Sequence, residues 1–316
     1  MREDSIRRQS AWSDYWCSGV LHSCPSSFGG NYDGAIAGFW QRAASHVPRG
    51  GRVLDLATGN GAVPLLLEPF LPAEVVVDAV DAAAVHARVP VVPGRLTVRF
   101  HSGVWMEQLP FADATFDLVC SQFGIEYAGR PDGWGEAARV LVPGGRLCAV
   151  VHHRQSVFAR VAAAEVAHLG WLLAHGDGLL AAALDLAQWL PHVRSGSLDR
   201  EGRVAAESAR ARFNQVQRAL ELRLGSVGQG QVLEEVRAQV HVLLAQSAQP
   251  DTHLRHYQAA LEHSRLRSAE LVECAMSEHE CVALLQGLDG RWELQTLEHP
   301  QHGLMAWGLV WEKGVR

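Results

Sequence analysis

Short, almost purely apolar runs alternate with helical stretches through the first half of this chain. Residues 51–57 predict a strand, and 61–70 the helix that follows it. Residues 74–80 predict a second β-branched strand ending at Asp81, with a helix over 82–88 behind it. Residues 96–100 read as a third strand. Residues 116–121, introduced by the turn Asp113-Ala114-Thr115, read as a fourth. A helix over 134–141 stops at Pro143-Gly144-Gly145, and 146–151 make a fifth strand. Short apolar strands joined by helices imply parallel βαβ units, because a parallel crossover needs a dozen or more residues.

Near residue 155 the pattern changes. From there to about 288, Ala, Leu, Arg, Gln and Glu dominate and β-branched clusters almost vanish. Breaks near Gly176, 191–196, 225–230 and Pro250 make four to six helices the economical reading. Residues 291–299 and 304–312 return to strand character around a turn at 299–303, a closing hairpin. At the other end, residues 1–45 hold an aromatic cluster of Trp12, Tyr15, Trp16, Phe28, Tyr32, Phe39 and Trp40, and the Ser/Gly/Pro-rich piece 22–34 within it reads as a loop joining two helices. The expected organisation is an N-terminal helical lid over 1–45 and an α/β core over 46–154. A helical insertion over 155–265 follows, then the last helix and closing hairpin of the core over 266–316.

Composition narrows the class. With 316 residues, 48% hydrophobic and 20% charged, the chain can bury a large core. Its formal net charge is −6 with no basic stripe, which argues against nucleic acid as a partner. The six cysteines (17, 24, 120, 148, 274 and 281) show no CxxC pair and no finger spacing, so reduced structural thiols in a cytoplasmic protein are expected, with no metal. The charged N-terminus leads into no apolar segment, so no signal peptide is expected. Residues 161–190 are interrupted by Glu165, His168, His175, Asp177 and Asp185, which reads as soluble helices rather than a bilayer span.

The chemistry begins at Asp55-Leu56-Ala57-Thr58-Gly59-Asn60-Gly61. A buried strand ends in a glycine turn and then a helix, so backbone N–H groups can face an anionic or polar ligand at close range. That pattern suits a dinucleotide site, or a structural turn with no ligand. Asp81, about 20 positions on and closing the second strand, is placed as a ribose-binding acid would be. Asp78 competes for that role but lies earlier in the strand.

Downstream, Glu107-Gln108-Leu109-Pro110-Phe111, Phe116-Asp117-Leu118-Val119 and Arg139-Val140-Leu141-Val142-Pro143-Gly144-Gly145 complete a series. It resembles the class I S-adenosylmethionine-dependent methyltransferases, and within them the small-molecule branch that includes the quinone-biosynthesis C-methyltransferases. The resemblance covers roughly 53–151 and the closing hairpin. It implies a Rossmann-like, seven-stranded, mostly parallel α/β sheet with a reversed terminal hairpin, and S-adenosyl-L-methionine as cofactor.

By that resemblance, Asp55, Ala57, Thr58, Gly59, Asn60 and Gly61 cradle the methionine end, with Ala57 standing where the family usually has a glycine. Asp81 takes the ribose, and Ala82 packs beside adenine. Trp105 and Met106 stand where relatives carry an Asp-Ala pair at adenine, with Glu107 following. The carboxylate contact is therefore lost, and Trp105 either stacks on the purine or belongs to the core. Ser121 and Gln122 match residues that close over the methyl-donor pocket.

Methyl transfer depends mainly on positioning and exclusion of water, and a base is needed only where the acceptor loses a proton. His152 or His153, just past the fifth strand, is the leading candidate base; the alternative is a rim role. Glu126 and Tyr127 are further candidates for acid–base work or for holding the acceptor. Tyr15, Trp16 and Tyr32 read as lid residues lining an apolar, planar acceptor site, or as a packing staple. The insertion suits a substrate roof or a homodimer interface. The implied activity is methyl transfer to O or N of a small aromatic or apolar acceptor. Its rivals are C-methylation of a quinone-like ring, a protein methyltransferase, and a non-catalytic cofactor-binding module.

Overall fold

The computed structural model describes residues 2–23, 30–87, 96–128, 132–226 and 230–315. The chain divides into two compact units, Met1–Arg160 with Glu270–Arg316, and Val161–Ala269. The first unit opens with helices α1 (Arg2–Cys17) and α2 (Gly34–Ala44). It continues through β1 (Arg52–Leu56), α3 (Ala62–Leu67), β2 (Val75–Asp81), β3 (Leu96–Ser102) and β4 (Phe116–Gln122). A single 3-10 turn (Ile125–Tyr127), α4 (Asp132–Val140) and β5 (Leu141–His152) come next. The chain then runs through α5 (Val157–Leu172), α6 (Leu179–Ala187), α7 (Leu190–Ser195), α8 (Arg200–Ser226), α9 (Gln231–Gln246) and α10 (Pro250–Cys274). It returns with α11 (Glu278–Gln286), β6 (Gly290–His299) and β7 (Gly303–Lys313).

The seven strands form one sheet in the order β3-β2-β1-β4-β5-β7-β6, with β1 to β5 parallel and β7 antiparallel to both neighbours. This is the seven-stranded sheet with a reversed hairpin expected from the sequence. Alternate residues of its central strands feed two separate cores. Val53, Leu118, Cys120, Cys148 and Val150 pack with α2 and α3 on one face; Leu54, Val119, Leu147, Ala149 and Val151 pack with α4 and α11 on the other. Covering both faces is what makes these strands apolar throughout rather than alternating. Strand order reverses between β1 and β4, so their carboxyl ends open a crevice where ligands of doubly wound sheets bind.

Three local readings are corrected. No helix follows β2 over residues 82–87, and residue 88 lies outside the described residues. The backbone donors there are already engaged: Ala83 N–H donates to Asp81 Oδ1 at 2.8 Å, Ala84 N–H to Ser13 Oγ at 3.0 Å, and His86 N–H to Asn60 Oδ1 at 3.2 Å. Side-chain acceptors thus compete with a helical ladder and win. The fifth strand starts at Leu141, five residues early, and passes through Pro143-Gly144-Gly145 with a bulge opposite Phe116 and Leu118. Gly144, at φ +77, supplies the backbone conformation this requires. Between residues 155 and 288 there are seven helices among the described residues rather than four to six, because the stretch 191–196 read as a break mostly forms the short helix α7, with Pro191 in its first turn.

The second unit has its own core, built from Leu169, Leu179, Phe213, Leu220, Val236 and Leu254 among others. Among the described residues, no helix is long and apolar enough to cross a membrane.

Candidate functional site

The glycine turn stands at the crevice. Ala57, Gly59 and Gly61 have φ of +53, +53 and +90. Ala57 therefore adopts a conformation natural to glycine, which costs a residue with a Cβ roughly 1–2 kcal/mol. Thr58 N–H donates to Val80 O at 3.0 Å, tying the turn to β2. Asp81 locks it from the side: Gly59 N–H donates to Oδ2 at 2.8 Å, while Oδ1 takes the Ala83 N–H. Burial pushes the Asp81 carboxyl up to about 6, against the pull of these two N–H donors. Asp55 lies deeper, fully buried beneath the turn. Burial raises it to about 7, only partly offset by the Thr58 and Cys120 side chains. Asp78 instead pairs with Arg52 at 2.9 Å and His101 at 3.0 Å.

Two small pockets flank the turn. One, of about 90 Å³, is bordered by Asp81, Ala82, Trp105, Met106, Glu107 and Tyr127. The other, of about 30 Å³, is bordered by Thr58, Gln122, Tyr32 and His22. Trp12, Trp16, Ala57 and Phe123 border both, and so form the partition between them.

Helix α1 covers the turn. Gln9 Nε2 donates to Ala82 O at 2.7 Å, and Asn60 Nδ2 donates to Trp16 O at 2.9 Å and Val20 O at 2.8 Å. Arg8 is ion-paired with Glu270, whose other oxygen accepts from Trp12 Nε1 at 3.4 Å. Trp12 and Trp16 stack at 5.8 Å, and Trp12 meets Tyr127 edge-on at 6.2 Å.

Beyond the partition lies a buried pair. Glu126, on the 3-10 turn after β4, accepts through Oε1 from both His152 N–H at 2.9 Å and His152 Nδ1 at 2.8 Å. The two side chains are 0% and 2% exposed. Glu126 Oε2 and His152 Nε2 have no hydrogen-bond partner. Because β4 and β5 are adjacent and parallel, their carboxyl ends bring these residues together from 26 positions apart in sequence.

The structure distributes the sequence-predicted residues unevenly. Asp81, Ala82, Trp105, Met106, Glu107, Trp16 and Tyr127 gather at the larger pocket, and Thr58, Tyr32 and Gln122 at the smaller. Asn60 serves chiefly to hold the end of α1. Ser121 Oγ donates to Leu56 O at 3.0 Å and accepts from Ile125 N–H at 2.9 Å, joining strand ends and bordering neither of these two pockets. Tyr15 donates its hydroxyl to His22 O at 3.2 Å and borders neither pocket. His153 turns away: its ring stacks on Trp307 at 4.4 Å, its Nδ1 accepts from Gln155 N–H, and burial lowers its pKa. Sequence reading overlooked Arg8, Gln9, His22 and Phe123. Nothing local marks them, since each acquires its role from residues distant in the chain.

Residues 54–149 match the family model described as Methyltransferase domain. Over 118 residues the chain is 40% identical to the ubiquinone/menaquinone biosynthesis C-methyltransferase UbiE of Geobacter sulfurreducens, covering 34% of this chain and 45% of that protein. It is 42% identical over 99 residues to the demethylmenaquinone methyltransferase of Thermus thermophilus, covering 30% and 44%. It is 39% identical over 110 residues to a dimethylglycine N-methyltransferase of Parasynechococcus marenigrum, covering 32% and 38%. The aligned segment thus spans less than half the length of each of these relatives.

Proposed function

We propose that this chain, whose residues 54–149 form a class I S-adenosylmethionine-dependent methyltransferase domain, methylates an O–H or N–H group of a small planar acceptor. The crevice suits S-adenosylmethionine in two respects. Gln122 Nε2 is a buried donor without a partner, while its Oε1 accepts from Trp40 Nε1. Gly59, at φ +53, carries no Cβ, so its backbone can meet a ligand closely once the Trp16 indole lying against it moves aside. The glycine turn and Gln122 would hold the methionine end, Asp81 the ribose hydroxyls, and Trp105, Met106 and Glu107 the adenine. Each Asp81 oxygen already takes one N–H but retains a second lone pair for a hydroxyl. When bound, the cofactor supplies an activated methyl group on a cationic sulfur.

The observation that carries the O/N reading is the Glu126–His152 pair. Glu126 accepts from Nδ1–H, which fixes the tautomer and leaves Nε2 as a proton acceptor. The carboxylate also stabilises the imidazolium formed when a proton is taken, as in other acid–base pairs. The aromatic surroundings exclude water and favour an apolar, planar acceptor.

A second reading, C-methylation of a quinone-like ring, is favoured by the names of the quinone-biosynthesis relatives. The same base would then remove a phenolic proton and activate the ring carbon. Transfer from ¹³C-methyl-labelled cofactor to a panel of phenols, amines and hydroquinones, with NMR of the products, separates the two: a methoxy or N-methyl product supports the first, a ring methyl the second. Calorimetry with S-adenosylmethionine tests the shared premise. Absence of binding by the intact chain, or binding that Asp81→Ala leaves unchanged, would sink it.

A further inference from the structure

Phe123 occupies a position that neither its sequence context nor the cofactor explains. It follows the last residue of β4 with φ of +53, a backbone region in which a bulky side chain is a genuine outlier. The surroundings enforce it. Its N–H donates to Val150 O at 2.7 Å, and a Cβ on the next residue, Gly124, would stand 2.4 Å from Ala57 Cβ and 2.9 Å from Ser121 Oγ. The Phe123–Gly124 backbone is thus pressed against the glycine turn. Strain of this kind persists only where the neighbouring structure over-determines it, and it concentrates at functional sites.

The ring faces two ways. It borders both pockets beside the turn. It also stacks on the His152 imidazole at 4.2 Å and 28°. Two other rings enclose that imidazole edge-on, Tyr127 at 6.1 Å and Phe158 at 6.4 Å. Tyr127 borders only the larger pocket, and Phe158 and His152 border neither. Phe123 is therefore the ring that lies both along the pockets and flat over the imidazole.

We propose that Phe123 is a gate and positioning residue between the donor pockets and His152. This rests on the reading of Glu126–His152 as the proton-accepting pair. The Phe123 ring shields Nε2 until an acceptor displaces it. A planar aromatic acceptor replaces the lost stack against the imidazole, while an aliphatic acceptor of similar size cannot. The gate thereby selects flat rings bearing a hydroxyl or amino group and keeps water from the base beforehand.

Diethylpyrocarbonate labelling of the full chain, read site by site by mass spectrometry, tests the gate without any acceptor. His256, which is solvent-exposed, serves as the internal reference. His152 of the unmodified protein is expected to react at least about tenfold more slowly than His256, as a protected site opens only by local fluctuation. Phe123→Ala raises the His152 rate towards that of His256, and Phe123→Leu, which keeps bulk but loses the stack, raises it partway. Phe158→Ala, on the same imidazole but off the pockets, leaves it near the original rate. Unchanged protection in folded Phe123→Ala and Phe123→Leu, or equal deprotection by Phe158→Ala, would overturn the gate; unchanged His256 reactivity and a cooperative melt verify folding in each variant. The base reading is decided separately, by methyl transfer in His152→Gln. Normal transfer there with gated labelling would refute the base while leaving Phe123 as the barrier over His152.

Discussion

The indole of Trp16 lies against the α-carbon of Gly59, so that a Cβ built there would stand 2.6 Å from its Cη2 and Cζ2 atoms. A helix from the N-terminal region thereby rests its largest side chain on the floor of the nucleotide crevice. The pocket beside it, about 90 Å³, is well below the roughly 300 Å³ at which small-molecule sites begin. If the cofactor binds against the Gly59 backbone, this contact has to open. Gly59→Ala should therefore destabilise the chain by about 1–3 kcal/mol, from the positive φ and the collision together. Trp16→Ala should relieve the collision portion in the double variant. Urea unfolding of the four-member cycle measures the coupling, and simple additivity would show that Trp16 does not rest on Gly59 in solution.

The ion pair of Arg8 with Glu270 holds the same helix down, but Arg8 remains 39% exposed and solvent weakens the pair. Its worth is on the order of 1 kcal/mol or less. Arg8→Met should accordingly change the melting temperature little, while cofactor dissociation, followed by stopped-flow tryptophan fluorescence, quickens up to about fivefold. An unchanged dissociation rate would mean that α1 does not move when the cofactor leaves.

Asp55 and Asp81 set a pH dependence of known sign. Their folded-state values, about 7 and about 6, lie above the unfolded carboxylate value of about 3.9, so folding favours the protonated forms. The stability they contribute is fully present below about pH 4 and is lost as pH rises through 6 and 7. Asp55→Asn should flatten the fall in stability between pH 4 and 8. Binding of a cationic ligand beside Asp55 should release protons near pH 6, detectable by calorimetry in buffers of differing ionisation enthalpy. A stability slope identical in Asp55→Asn would contradict the assignment.

If His152 removes the acceptor proton, His152→Gln should lower turnover by roughly 10²–10⁴-fold at unchanged cofactor affinity. Glu126→Gln should act in the same direction, since the Nδ1–H bond that fixes the tautomer is weakened. His153→Ala should leave the pH–rate profile in place, because that ring packs on Trp307. A loss confined to His153→Ala would reverse the assignment of the two histidines.

Much of the first unit was legible because its central strands are buried on both faces. Residues such as Val53, Leu54, Val119 and Val150 have to be apolar wherever the sheet places them, so their runs betray both strand and parallel pairing. The glycine turn was legible for a similar reason, as positive φ restricts residue choice at Gly59 and Gly61. Ala57 and Phe123 adopt positive φ without the glycine that would announce it. The helix expected over 82–88 failed because Ser13, Asn60 and Asp81 claim its backbone donors, and two of these acceptors come from distant parts of the chain.

By itself, then, the sequence determined the strands of a mostly parallel sheet with a reversed terminal hairpin, and the glycine turn at its centre, because periodicity and glycine placement are local constraints. Only the tertiary structure decided which histidine meets Glu126, that Phe123 stands over it, and that Trp16 closes on Gly59. Those relationships join residues 26, 29 and 43 positions apart. Packing geometry decides them, and no local pattern of residues encodes it.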